Sequence, residues 1–275
     1  MEGIGSVAVI GVGKMGEIMA AGMVQAGLAP GDIRVADVNR EQAGRVAKAH
    51  GLHLCEDNLQ AVDGARVVLL AVKPQVVPEV LGDLGPALDE SHLVISIAAG
   101  VSTSSLEAAL PTAARVVRAM PNVAAQVGRG VTAICPGTRA GEAQMAQAEK
   151  LLSGVGKVIR IAESYMDAVT AVSGSGPAYF ALVAEAMTDA AVTAGLPRAT
   201  ADELVAQTIL GAAHLLTDGG MAPGALREAV MSPAGTTAMG IRELERGGVR
   251  AAVLNAVQAA MDRSAGMAGP SRTIR

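Results

Sequence analysis

Short apolar runs alternate with longer amphipathic stretches through the first 160 or so residues. The runs at 7–10, 33–36, 67–72 and 93–97 are rich in β-branched residues and predict strands. Between them, 15–26, 40–49 and 76–84 carry apolar residues at helical spacing. Strands alternating with helices predict βαβ units around a parallel sheet. Further strands are expected at 115–119, 131–134 and 158–161, with a helix over 142–152.

After about Glu163 the texture changes. β-branched runs stop, and Ala/Leu/Val stretches predict helices over 165–172, 178–194, 199–217, 226–231, 237–246 and 249–267. Gly174, Gly176–Pro177, Gly195–Pro197, Gly219–Pro223 and Ser232–Pro233 punctuate them. The expected organisation is therefore α/β: a doubly wound sheet over 1–162, then an all-helical domain over 163–275, with 269–275 as a loose tail. No solenoid-type repeat is present. Several of these helices are apolar on more than one face, so they need cover on more than one side. Subunit association supplies that cover; a tightly packed monomeric bundle is the alternative.

Composition narrows the class. The 275 residues are 51% hydrophobic and 17% charged, which excludes a disordered chain. A net charge of −4 leaves no electrostatic footprint for nucleic acid. Tyr165, Tyr179 and Phe180 are the whole aromatic complement, too few for a base-stacking platform. Two cysteines, Cys55 and Cys135, with no C-x-x-C, read as free thiols in a reducing compartment, and no metal is called for. No signal-like start and no apolar run of about 18 residues appears. The expectation is a cytoplasmic protein without a membrane partner.

Gly11-Val12-Gly13-Lys14-Met15-Gly16 fits G-x-G-x-x-G. The pattern alone is weak, but here it follows the first strand and opens the first helix. Gly11 allows the tight turn, Gly13 lets a pyrophosphate approach the backbone, and Gly16 lets helix and strand pack closely. The helix N-terminus then faces the anion. This is a Rossmann-type dinucleotide site. Asp37 ends the second strand about twenty residues on, where an acid suits a ribose 2′-hydroxyl and hence NAD. Asn39 and Arg40 follow at once, and an arginine there suits a 2′-phosphate and hence NADP. The two signals conflict, and both cofactors stay open. Ala71-Val72-Lys73-Pro74 ends a strand at the ligand-binding edge, and Ser96–Gly100 offers small residues beside a nicotinamide ring. A lysine at a strand end is also an ordinary surface residue, and Met120-Pro121-Asn122 also reads as a plain turn.

The helical half lacks the usual proton donors. No lysine follows Lys157, and its one histidine, His214, sits in an apolar pattern that reads as core or interface. Reducing a ketone usually needs a tuned acid. A protonated imine brings its own positive charge and needs only orientation and electrostatic fit. Ser173-Gly174-Ser175-Gly176-Pro177 and Ser232-Pro233-Ala234-Gly235-Thr236-Thr237 each break two helices and expose N–H groups suited to a carboxylate. Capped interhelical turns are the plainer reading of either segment alone.

At these residues the chain resembles pyrroline-5-carboxylate reductase, from Val7 to about Arg263. The matches are the glycine loop, Ala71-Val72-Lys73-Pro74, Ile95–Gly100 and Arg118–Asn122, then Asp167–Thr170, Ser173–Tyr179, Ser232–Thr237 and Gly247–Arg250. The resemblance implies reduction of L-1-pyrroline-5-carboxylate to L-proline, usually with NADPH and often with NADH. It implies Thr237 as the hydroxyl near the imine nitrogen, with Thr236 and Gly235 at the carboxylate. Ser173, Gly174 and Ser175 shape the pocket, with Glu163 nearby. Asn58 lies near the adenosine ribose, while Val72, Lys73 and Ala98 wall the cofactor. It also implies homodimers through the helical domains, often five dimers in a ring. Two departures stand out: Lys14 replaces a usual polar residue, and Ala234 a usual glycine. A hydroxy-acid dehydrogenase and a nucleotide-binding regulator without turnover are the alternatives; the missing lysine weighs against the first, and the intact Thr236-Thr237 pair against the second.

Overall fold

The computed structural model describes residues 4–110 and 114–267, so the expected tail at 269–275 lies outside the described residues. The chain forms two compact units. One runs up to Ser175 and takes in the residues from Ala260; the other is Gly176–Ala259.

The first unit is built on eight strands: β1 (Val7–Ile10), β2 (Ile33–Ala36), β3 (His53–Leu54), β4 (Val67–Leu70), β5 (Leu93–Ser96), β6 (Arg115–Met120), β7 (Gly130–Pro136) and β8 (Gly156–Arg160). Their order is β3-β2-β1-β4-β5-β6-β7-β8. Every neighbouring pair is parallel except β6 and β7. The sheet is parallel as expected but for this pair, because only a 3-10 turn, Val123–Val127, separates the two strands. That is too short a connection for a crossover, so β7 turns back.

The strands are apolar at every position because both faces are covered. Val7, Val9, Val67, Leu69 and Ile95 face one core with Met19 and Met23 of α1 (Lys14–Gln25) and Leu151 of α6 (Glu142–Leu152). Ala8, Ile10, Val68, Leu70 and Val94 face the other. There they meet Leu81 and Leu84 of α4 (Val77–Leu84) and Leu106 of α5 (Thr103–Ala109). The remaining helices of this sheet are α2 (Arg40–His50) and α3 (Asn58–Val62). β3, α3 and α5 were not expected from periodicity. Each is short, and β3 is an exposed edge strand.

The compact unit runs past the expected boundary at 162/163. Helix α7 (Met166–Val169) buries Met166 beside Ala133 and Cys135 of β7. The Ser264 hydroxyl donates to the Asp167 carboxylate at 2.7 Å. A π-helical turn, Thr170–Gly174, follows and leads into α8 (Gly176–Thr193). The open helix break expected at Ser173–Pro177 is thus a π-turn.

The second unit holds α8, α9 (Arg198–Thr217), α10 (Pro223–Ala229), α11 (Thr236–Arg246) and the first part of α12 (Val249–Met267). α10 starts three residues earlier than expected, at a proline suited to a first helical turn. Within Gly176–Ala259 only Gly176, Thr188, Ala201 and Val205 are buried. Phe180, Leu182 and Leu254 each expose about two thirds of their surface (68%, 67% and 69%). His214 is no core residue of this chain: its exposed ring meets Asp218 one turn on, at 2.6 Å. Among the described residues, no helix is long and apolar enough to cross a membrane.

Candidate active site

The C-terminal ends of β1, β4, β5 and β6 share one edge of the sheet, where ligands of open α/β sheets bind. The glycine loop leaves β1 there. Gly11 has φ +88°, and its N–H donates to the Ala36 carbonyl at 2.8 Å. A Cβ on Gly11 would stand 2.9 Å from both the Ala71 oxygen and a Val72 methyl. A Cβ on Gly16 would overlap the Gly11 carbonyl oxygen. Gly13 differs: it caps α1 in extended geometry, and a Cβ there would meet nothing within 4 Å. Two glycines therefore serve packing, and the third leaves open space over a helix N-terminus. That space fits a pyrophosphate.

Asp37 ties the loop to the end of β2. Its Oδ2 accepts from the Val12 N–H and its Oδ1 from the Asn39 N–H, both at 2.8 Å. Asn39 caps α2, accepting from the Gln42 N–H at 3.1 Å. Arg40, the first residue of α2, is exposed, as is Lys14 at the start of α1; neither has an ion-pair partner among the described residues. Asn58, half-buried, opens α3. A separate cavity of about 480 Å³ runs beside α1, sharing Lys14 with the loop but otherwise lined by later residues such as Ile18, Gln126 and Val155.

Ala71 continues from β4, its N–H bonded to the Ile10 carbonyl at 2.8 Å. Lys73 is exposed at the start of a 3-10 turn opened by Pro74, and Val72 is half-buried beside Gly11. Ala98, past the end of β5, is buried with its N–H toward the Ser96 hydroxyl at 3.3 Å. These residues, the glycine loop and Asp37–Arg40 thus gather at one sheet edge.

Glu163 is engaged within the first unit. Its carboxylate accepts from the Thr103 N–H at 2.7 Å, from the Thr103 hydroxyl and from the Arg118 guanidinium at 3.1 Å. Burial raises its pKa, but the Thr103 and Arg118 hydrogen bonds outweigh that and hold it below the ordinary 4.5. Arg118 is almost fully buried in β6, so Glu163 is the counter-ion that its burial requires. Burial, and then the Glu163 charge, push the neighbouring Cys135 thiol up to about 11, against the opposing effect of Arg118. Arg118 and Thr103 carried no role in the sequence reading. The signal was there: an arginine inside the apolar run Val116-Val117-Arg118-Ala119 needs a partner.

Ser173 and Gly174 lie on the π-turn, and Ser175 follows it as its cap. The Ser175 N–H is bonded to the Thr170 carbonyl at 3.0 Å, so this segment is no open helix start. In the second unit, Gly235 caps α11, and Thr236 and Thr237 are its first two residues. Thr236 is exposed and Thr237 half-buried. The preceding Ala234 has φ +58°, the one non-glycine residue with positive φ among the described residues.

Comparison with known proteins meets this geometry from both ends. The family description "NADP oxidoreductase coenzyme F420-dependent" matches residues 6–100, and "Pyrroline-5-carboxylate reductase dimerisation" matches 163–267. The pyrroline-5-carboxylate reductase of Corynebacterium melassecola is 43% identical over 94% of this chain and 97% of its own. That of Methanosarcina acetivorans is 44% identical over 93% and 95%. The chain belongs to the pyrroline-5-carboxylate reductase family. Among solved pyrroline-5-carboxylate reductases, that of Coxiella burnetii superposes with a TM-score of 0.91 at 36% identity, covering 97% of this chain and 100% of that one. The Plasmodium falciparum pyrroline carboxylate reductase, solved with NADP bound, gives 0.86 at 30% identity, covering 98% and 100%.

Membership in the pyrroline-5-carboxylate reductase family gives the two halves their assignments. The sheet with its glycine cradle is the NAD(P)H-binding part, and the helical part is the dimerisation part, so the chain forms homo-oligomers. The dimerisation match begins at Glu163, twelve residues before the compact sheet unit ends at Ser175. The segment between is therefore dimerisation-domain sequence folded onto the sheet.

Proposed function

We propose that this chain reduces L-1-pyrroline-5-carboxylate to L-proline with NADPH, accepting NADH, as the last step of proline synthesis. The observation that carries the reading is one chain holding both an open glycine cradle and a near-full-length likeness to named reductases of this substrate. When bound, the reduced nicotinamide supplies the hydride. The cradle Gly11–Gly16 holds the pyrophosphate on the free N–H groups of α1, with Lys14 beside it. Asn39 and Arg40 would hold the 2′-phosphate and Asn58 the ribose, with Val72, Lys73 and Ala98 as the wall. Thr237 orients the imine nitrogen through its hydroxyl. Gly235 and Thr236 hold the carboxylate on the N-terminus of α11, and Ser173, Gly174 and Ser175 are further substrate-binding residues. Addition of that hydride to the imine carbon would move the C=N π pair onto nitrogen, so that the protonated nitrogen would become a neutral amine. No strong acid is needed, which suits a helical half without lysine.

The substrate is a small cyclic imino acid; nucleic acid and membrane are not partners. The exposed Phe180, Leu182 and Leu254 support homodimers through the helical parts, five of which form the ring. Both cysteines are free and buried, which supports a cytoplasmic setting. The test is loss of NADPH, then NADH, absorbance with pyrroline-5-carboxylate, a 2-keto acid and a six-membered imine. Turnover confined to the five-membered imine is expected; cofactor binding without turnover of that imine overturns the reading. Thr237→Ala is expected to lower turnover about a hundredfold with cofactor affinity kept, and sedimentation reads the ring.

A further inference from the structure

The carbonyl of Ser173 has lost its helical donor. In a regular helix the residue four positions on would bond it, but that residue is Pro177, which has no N–H. Asn122 supplies the bond instead, its Nδ2 donating to the Ser173 carbonyl at 3.2 Å. The other half of the same amide accepts from the Val131 N–H at 3.2 Å. β6 ends at Met120, opposite Ala133, so Asn122 falls opposite Val131 where the ladder would have continued. One side chain thus replaces the missing rung and the missing helical donor together. Its orientation is fixed by chemistry: Val131 can only donate and Ser173 can only accept. A Cβ on Gly174 would stand 3.0 Å from the Met120 methyl, so the π-turn lies directly against this strand end.

The Ser173 hydroxyl is buried and has no hydrogen-bond partner among the described residues, although the residue as a whole is only half-buried. Folded proteins rarely leave such a group unmet. A serine hydroxyl exchanges between three staggered positions by one rotation, so an unmet inward position costs little to leave.

We propose that Asn122 is a positioning residue for the reductase. It holds the Ser173 backbone at the C-terminal end of β6, so that the unmet hydroxyl turns out to donate to the carboxylate of the bound cyclic imino acid. The proposal rests on the reductase reading above. It places Ser173 by a residue of the sheet rather than by the helical unit, and gives Met120-Pro121-Asn122 a role beyond a turn.

The test compares wild type, Asn122→Asp, Ser173→Ala and the double variant in the full-length protein. The readouts are kcat, KM for pyrroline-5-carboxylate, and NADPH Kd by titration. Asn122→Asp keeps the acceptor for Val131 and loses the donor to Ser173. Each single variant is expected to raise KM about tenfold, the loss of one hydrogen bond to a charged group, with NADPH Kd within twofold. The double variant is expected to be no worse than the worse single, because both remove one interaction. Asn122→Asp with Pro177→Ala, which returns an N–H four residues on, is expected to recover most of the KM. A double variant near a hundredfold overturns the proposal, as does weakened NADPH with unchanged KM. Should Asn122→Asp not fold, Asn122→Ser is read by the same numbers. A wild type that never reduces the imine fails the reductase reading itself, before any variant is compared.

Discussion

The Asp37 carboxylate holds the Val12 N–H at 2.8 Å and so ties the tip of the glycine loop to the end of the neighbouring strand. Its second oxygen takes the Asn39 N–H, beside the cap of the next helix. Residues that the sequence offers as two separate cofactor signals are one hydrogen-bonded unit. Asp37→Ala is expected to cost about 1.5–3 kcal/mol, since two N–H groups lose a charged acceptor. It should also weaken NADPH and NADH alike. Chemical denaturation and dinucleotide titration check both.

Gly13 and Gly16 separate function from packing. A side chain on Gly13 enters open space, so Gly13→Val is expected to fold and to lose dinucleotide binding. A side chain on Gly16 meets the Gly11 carbonyl, so Gly16→Val is expected to unfold the first unit. Circular dichroism beside cofactor titration tells them apart; normal affinity in Gly13→Val would refute the cradle.

Arg40 is exposed, at the first position of α2, with no ion-pair partner among the described residues. Arg40→Ala is expected to weaken NADPH about tenfold more than NADH, because only NADPH brings a 2′-phosphate for a guanidinium. Equal losses would remove Arg40 from that contact.

Glu163 gives the first unit an acid limit. Its folded pKa lies below the ordinary 4.5, the hydrogen bonds from Thr103 and Arg118 prevailing over burial. Its stabilisation is therefore complete above about 4.5 and is lost as pH falls through the folded value. Glu163→Gln is expected to be less stable than wild type at pH 7, the gap narrowing below pH 4.5. Urea midpoints at pH 7, 5 and 3.5 follow it; a constant gap would exclude the charge as the cause.

Ala234 carries φ +58°, where a Cβ costs about 1 kcal/mol. Ala234→Gly is expected to raise stability by about 0.5 kcal/mol, part of the relief being offset by a freer unfolded chain. A thermal melt reads the sign.

Much of this was legible in the chain. β1, β2 and α6 fall where apolar runs and helical spacing place them, because buried parallel strands and long helices carry strong periodic signals. The antiparallel β6–β7 pair was not, since direction is set by connection length. Nor was the bond from Glu163 to Arg118, which joins residues 45 positions apart. The glycine loop, Asp37 and Arg40 could be read locally, since a βα turn is a local object. Asn122 looked like a turn residue because both its partners, Val131 and Ser173, lie elsewhere in the sequence.

A helical unit that buries only Gly176, Thr188, Ala201 and Val205 has almost no interior of its own. Its stability is then inseparable from protein concentration, and its melting temperature rises with the amount of chain present. A newly made copy is then expected to gain most of its helical-unit stability on meeting another. Damage in one copy is in turn shared by the copy it joins, so a defective chain that keeps these helices would draw sound ones into mixed assemblies.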